Sequence, residues 1–194
     1  MPAAAAFAPG EESEVTPPDL VVEAFQKLPR ELGAKLVLIG EGPLRQKIAA
    51  MGDSRIALPG YLKDRASLAD WLASSDIYVS GMADETFGIS ILEAQASGLP
   101  VVGVAAGAMI DRVTDCTGRL GPVGDTEAMA RNILAVWNSD RVAMREEACT
   151  QARRYSWDHS MEALFNRVYA AAFTRSAQRC LSPSAALAAS LAKA

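Results

Sequence analysis

Asp84-Glu85-Thr86-Phe87-Gly88-Ile89-Ser90-Ile91-Leu92-Glu93-Ala94-Gln95-Ala96-Ser97-Gly98-Leu99-Pro100-Val101-Val102 is the stretch on which the reading of this chain turns. Two carboxylates, Glu85 and Glu93, stand with seven residues between them across a small-residue turn that opens a helix, predicted over Glu85 to Ser97. Gly98 and Pro100 stop that helix, since glycine suits the residue past a helix end and proline cannot continue one. Val101-Val102-Gly103-Val104 then reads as a buried strand. A helix N-terminus carries backbone N–H groups with no intrahelical acceptor, and these suit an anion. Carboxylates beside them accept hydrogen bonds from hydroxyl groups. Phosphate donors next to hydroxyl acceptors point to a nucleotide-sugar ligand.

The same logic extends outward. Asp19 to Leu28 has apolar residues at helical spacing, with Asp19 as candidate N-cap and Pro29 at the end. Lys35 to Ile39 is an apolar strand closed by Gly40-Glu41-Gly42-Pro43, and a helix follows through Leu44, Ile48 and Ala49. Ile56 to Leu58 and Ile77 to Val79 are short strands, with a helix over Ala66 to Ser74 between them. A short helix around Met109 to Val113 and a strand at Arg119-Leu120 come next, then helices over Thr126 to Asn138 and Arg141 to Tyr155. A last long helix runs from Ser156 to about Phe173, and an Ala-rich tail begins at Ser182. Apolar strands alternating with helices define an α/β fold, a Rossmann-like doubly wound parallel sheet with a helical C-terminal segment. Ligands of such sheets bind beyond the carboxyl ends of the strands, where the motif helix starts.

Composition narrows the class. The chain has 194 residues, half of them apolar, and a net charge of −4. That balance argues against nucleic acid or an anionic membrane as the main partner. Cys116, Cys149 and Cys180 are scattered, without CxxC spacing, and His159 is the one histidine, so neither a disulfide framework nor a metal site is expected. Met1 to Gly10 lacks the basic n-region and long apolar run of a signal peptide. A cytoplasmic location is expected, with peripheral membrane contact left open.

From about Asp19 to Tyr169 the chain resembles the C-terminal, donor-binding half of family 4 (group 1) glycosyltransferases, enzymes of the two-domain GT-B fold. The resemblance rests on the Glu-x7-Glu block with its Phe87-Gly88 and Glu93-Ala94 pairs. It rests also on Leu36 to Pro43, Pro59 to Asp64, Ser75 to Val79 and Gly98 to Val102, in the family's order. It implies that Glu93 accepts the ribose hydroxyls and that Glu85 faces the transferred sugar as the catalytic carboxylate. The amides of Phe87, Gly88, Ile89 and Ser90 would hold the sugar hydroxyls and diphosphate, and Leu62 and Asp64 would touch the base. The implied reaction is retaining transfer from a nucleotide-diphosphate sugar, with no metal and no cofactor besides that donor substrate.

Each residue has a plainer alternative. Glu85 can be a loop carboxylate and Glu93 an exposed helical one. Gly40 to Pro43 reads as a strand-to-helix connection, since it lacks GxGxxG spacing. Gly107 is either a turn glycine or a point of close backbone approach. Lys63, Arg65 and Arg112 lie within reach of a diphosphate, though solvated surface is the commoner fate of such residues. His159 reads as a helix-start residue and Trp157 as packing.

The chain also departs from the family. An Arg and a Lys that clamp the diphosphate would fall at about Glu11 and Thr16. The first strand is replaced by alanine-rich Pro2 to Pro9, so residues 1–18 are expected to be irregular, a degraded first strand. Residues 19–175 form the expected donor-binding domain and 176–194 the tail. An acceptor-binding domain or chain would have to be supplied separately, and the chain alone is expected to show no appreciable transfer. Two further readings stand beside the donor half: a non-catalytic nucleotide-sugar-binding relic or subunit of a split transferase, and a GT-B nucleotide-sugar epimerase.

Overall fold

The computed structural model describes residues 3–7 and 17–181 and falls into two compact units, Met1–Ala152 and Arg153–Ala194. The first holds six strands: β1 (Ala3–Phe7), β2 (Lys35–Ile39), β3 (Ile56–Gly60), β4 (Ile77–Val79), β5 (Val101–Val104) and β6 (Gly118–Gly121). They pair in the order β3-β2-β1-β4-β5-β6, all parallel, which is the doubly wound arrangement. Helices α1 (Pro17–Gln26), α2 (Leu44–Ala50), α3 (Arg65–Ala73), α4 (Ile89–Ala96), α5 (Met109–Arg112), α6 (Thr126–Trp137) and α7 (Arg141–Arg153) make the crossovers and close the unit.

Both faces of the sheet are covered, and the two-residue period of a strand sorts side chains between them. Ile77, Val79, Val102 and Val104 point to the face packed with Val21 and Phe25 of α1 and Met129 and Ile133 of α6. Tyr78 and Val101 point to the opposite face, where Leu72, Ile91, Leu99, Met109 and Val113 meet them. A strand buried on both sides has an unbroken apolar sequence, as Leu36 to Ile39 and Val101 to Val104 do.

Several placements differ from expectation. Ala3–Phe7, expected to be irregular because of its alanines, is the central strand, with Ala4 to Ala6 registered between β2 and β4. The ladder uses backbone groups, which alanine supplies as well as valine does. Helix α1 starts two residues before Asp19, so that aspartate lies inside the first turn. Helix α4 starts at Ile89 and not at Glu85, which leaves Glu85 in the preceding loop.

The second unit is helical: α8 (Trp157–Ala163), a π-helical stretch over Leu164–Tyr169, and α9 (Ala170–Leu181). Ser156 caps α8 by accepting the N–H of His159 at 3.2 Å, so His159 is a helix-start residue. Trp157, expected to pack, is 79% exposed. The contact boundary at Ala152 precedes the expected one at 175. The tail from Ser182, and the positions of Glu11 and Thr16, lie outside the described residues. No helix among the described residues is long and apolar enough to cross a membrane.

Candidate functional site

The loops after β3, β4 and β5 leave the sheet at its carboxyl edge, and the expected site residues lie on them or on the helices they start. Strand β4 ends at Val79, and residues 80–88 lead into α4. Gly88 closes that loop as the N-cap of α4 with φ 77° and ψ 47°, a left-handed conformation that glycine adopts without penalty. A Cβ there would stand 2.7 Å from the Ile91 Cδ1 atom.

Glu85 is half-buried, and its Oε1 accepts the Gly88 N–H at 2.9 Å, so the carboxylate braces the turn it sits in. Its carbonyl oxygen accepts the N–H of Ala108, from the loop after β5, at 2.7 Å. Gly107 makes that approach possible: a Cβ at this position would lie 2.5 Å from the Glu85 carbonyl oxygen. The close approach expected of Gly107 is thus to the motif loop itself.

Beyond Gly88 the α-helical pattern begins with the Leu92 N–H bonding the Gly88 carbonyl at 3.0 Å. The N–H groups of Ile89, Ser90 and Ile91 belong to the first turn, which has no intrahelical acceptors. Phe87 is 50% and Ile89 61% exposed, so this turn opens outward and is not sealed in the core. The Ser90 hydroxyl shares a hydrogen bond with the phenol of Tyr78, which is fully buried in β4. Burial drives that phenol far above its ordinary range; the Ser90 bond opposes this, while the Glu85 and Glu93 carboxylates add to it.

Glu93 is the fifth residue of α4, one turn further in than a residue that draws on the helix dipole. Its charge is met instead by Arg65, whose Nη2 donates to Oε1 at 3.0 Å while the arginine side chain stays 89% exposed. This pair fastens the start of α3 to α4. Asp64 caps α3, accepting the N–H groups of Ala66 at 3.2 Å and Ser67 at 3.0 Å and the Ser67 hydroxyl at 2.9 Å. The two Ser67 bonds, followed by the Ala66 amide, hold its carboxyl below the usual carboxylate range. Leu62 is half-buried in the same loop and Lys63 is exposed. The guanidinium of Arg112 lies over the Phe87 ring, 4.8 Å from its centroid.

One polar residue is not legible as a site residue in the sequence. Gln95 is wholly buried on α4; its Nε2 donates to the Arg112 carbonyl at 2.8 Å, and its Oε1 has no partner among the described residues. Leaving such an acceptor unmet costs about 1–3 kcal/mol. The only signal in sequence is a carboxamide between alanines, which is equally at home on an exposed helix face.

The all-parallel strand order and the helical crossovers define a doubly wound α/β domain. The profile described as Glycosyl transferases group 1 matches residues 10–139, and the chain belongs to that family. N-acetyl-alpha-D-glucosaminyl L-malate synthase of Bacillus anthracis is 35% identical over 127 residues, covering 63% of this chain and 33% of that protein. D-inositol 3-phosphate glycosyltransferase of Xylanimonas cellulosilytica is 32% identical over 170 residues, covering 81% of this chain and 40% of that protein. The chain thus spans about a third to two fifths of the length of these curated relatives. Among solved structures, the pneumococcal O-GlcNAc transferase GtfA, in complex with UDP and GlcNAc, superposes with a TM-score of 0.73 at 20% identity. The match covers 86% of this chain and 35% of that one. Sucrose-phosphate synthase from Thermosynechococcus elongatus gives 0.68 at 22% identity, covering 88% and 46%. Those two likenesses speak for the fold.

Proposed function

We propose that this chain carries the donor-binding half of a retaining glycosyltransferase that uses a nucleotide-diphosphate sugar. The observation behind the reading is the placement of Glu85 and Glu93 on either side of the open first turn of α4, at the carboxyl edge of a parallel sheet. In this reading the first-turn amides of Ile89 and Ser90, with that of Phe87, receive the diphosphate and sugar hydroxyls, while Gly88, whose own N–H is held by Glu85, shapes the turn around them. Glu93 accepts the ribose hydroxyls, Glu85 faces the transferred sugar, and the Leu62–Asp64 loop lies along the base. Amides aimed at the leaving diphosphate stabilise the charge that develops there. The acceptor is bound by a separate domain or chain, so the 194 residues bind donor without turnover, because positioning of the second reactant supplies much of the rate. The domain works in the cytoplasm, with any membrane contact peripheral.

Titration calorimetry of the purified chain with UDP- and GDP-sugars tests this directly. Saturable heat with one of them is expected, and Glu93→Ala is expected to abolish it; unchanged affinity in that variant refutes the role given to Glu93. A second reading, a relic that no longer holds a nucleotide sugar, draws on two observations: Glu85 is bonded to its own turn and Glu93 to Arg65. Absence of heat with every donor supports the relic.

A further inference from the structure

Gln95 is a polar side chain among apolar ones. It is 0% exposed, and its α4 neighbours Ile91 and Ala94 belong to the apolar cluster beneath the sheet. Leucine or methionine would fill the same space with no orphaned oxygen, so packing alone gives no reason for a carboxamide. What the carboxamide adds is a donor, and the donor goes to the carbonyl of Arg112 at the last residue of α5.

Helix α5 is a single turn, too short to be stable by its own hydrogen bonds, and its final carbonyls lack intrahelical partners. Gln95 meets the Arg112 carbonyl, and a second carboxamide, Gln151 of α7, reaches the Asp111 carbonyl at 3.4 Å. This short helix in turn holds the motif loop at two places. The Ala108 N–H at its start donates to the Glu85 carbonyl, and the Arg112 guanidinium at its end lies over the Phe87 ring. The loop's shape is therefore set by α5, and the place of α5 is set from the core by Gln95. We propose that Gln95 is a positioning residue which, acting through α5, orders the turn from Glu85 to Gly88. That this order serves the transferred sugar rests on the donor-site reading above; the ordering itself does not.

Amide hydrogen exchange on the full chain carrying Gln95→Met separates positioning from bulk stability. The Ala108 and Gly88 amides are expected to exchange about tenfold faster or more than in the wild type, while those of Val79 and Val102 in the sheet keep their rates. The Arg112 Nε–H resonance is expected to lose the ring-current shift imposed by Phe87. Unchanged exchange in the turn overturns the proposal, and so does acceleration shared equally by the sheet, which marks a merely structural residue. Should Gln95→Met fail to fold, Gln95→Leu, which likewise lacks the Nε2 donor, is read in its place. Faster exchange at Ala108 and Gly88 with the sheet amides unchanged supports the proposal, and unaffected turn amides overturn it. A UDP titration of the wild type followed by chemical shifts tests the donor reading independently: no shift refutes that reading and leaves the exchange result for Gln95 standing.

Discussion

Both acids of the motif are engaged within the domain itself, and at the residue scale this shapes what a ligand must displace. Arg65 and Glu93 form an exposed pair, and such pairs contribute about 0.2–1 kcal/mol. Arg65→Ala is therefore expected to leave the urea midpoint almost unmoved. If a ribose competes with Arg65 for Glu93, the same variant binds donor more tightly, by no more than about fivefold, the equivalent of that pair energy. Calorimetry in parallel with the wild type measures it; weaker binding would make Arg65 a nucleotide contact. A second pair behaves differently. Asp53 and Arg55 are mostly buried, joined by bonds of 2.7 and 3.1 Å, and the arginine stacks on Phe25 at 4.7 Å. The Arg55 side chain, then its backbone N–H, lowers the Asp53 carboxyl from 3.8 to about 2. A lowered carboxylate stabilises fully above its unfolded value and loses that contribution as pH falls from near 3.8 through about 2. Asp53→Asn is expected to cost about 2 kcal/mol at pH 7 and little near pH 2, as read by urea unfolding at both.

At the scale of elements, the site depends on two adjacent strand-to-helix loops touching backbone to backbone. Gly107 has φ 51° and no room for a Cβ against Glu85, so Gly107→Ala combines a strained backbone with a displaced loop. A loss of about 1–3 kcal/mol is expected, measured as a lower urea midpoint at constant m. Gly42, whose missing Cβ would meet nothing within 4 Å, serves as the control at which alanine changes little. Helices and strands themselves are largely legible in the sequence. Apolar runs such as Leu36 to Ile39 and Val101 to Val104 announce strands buried on both faces, and Gly98 with Pro100 announces the end of α4. The start of α4 is not legible, because Glu85 looks like a first-turn acid until its side chain is seen to cap Gly88 from outside the helix.

For the whole molecule, both apolar clusters draw on residues no later than Met144, inside the unit that ends at Ala152. A chain stopped after Ala152 is expected to unfold in one cooperative urea transition. A broad transition would show that Met1–Ala152 does not fold as one unit. The family and the sheet are legible at this scale from the order of the motif blocks. The central place of Ala3–Phe7 is not, since its alanines carry neither the volume nor the β preference that marks a core strand.

What the sequence determined by itself is whatever a few neighbouring residues can encode: the two-residue and 3.6-residue apolar periods, the breaks at glycine and proline, and the spacing of Glu85 from Glu93. Tertiary structure decided the meetings of residues far apart in the chain. Arg65 with Glu93, Ala108 with Glu85, Gln95 with Arg112, and β1 between β2 and β4 are all of this kind. The reason is physical: periods and caps are local properties of the backbone, whereas side-chain direction and strand partnership emerge only when separate elements are packed against one sheet.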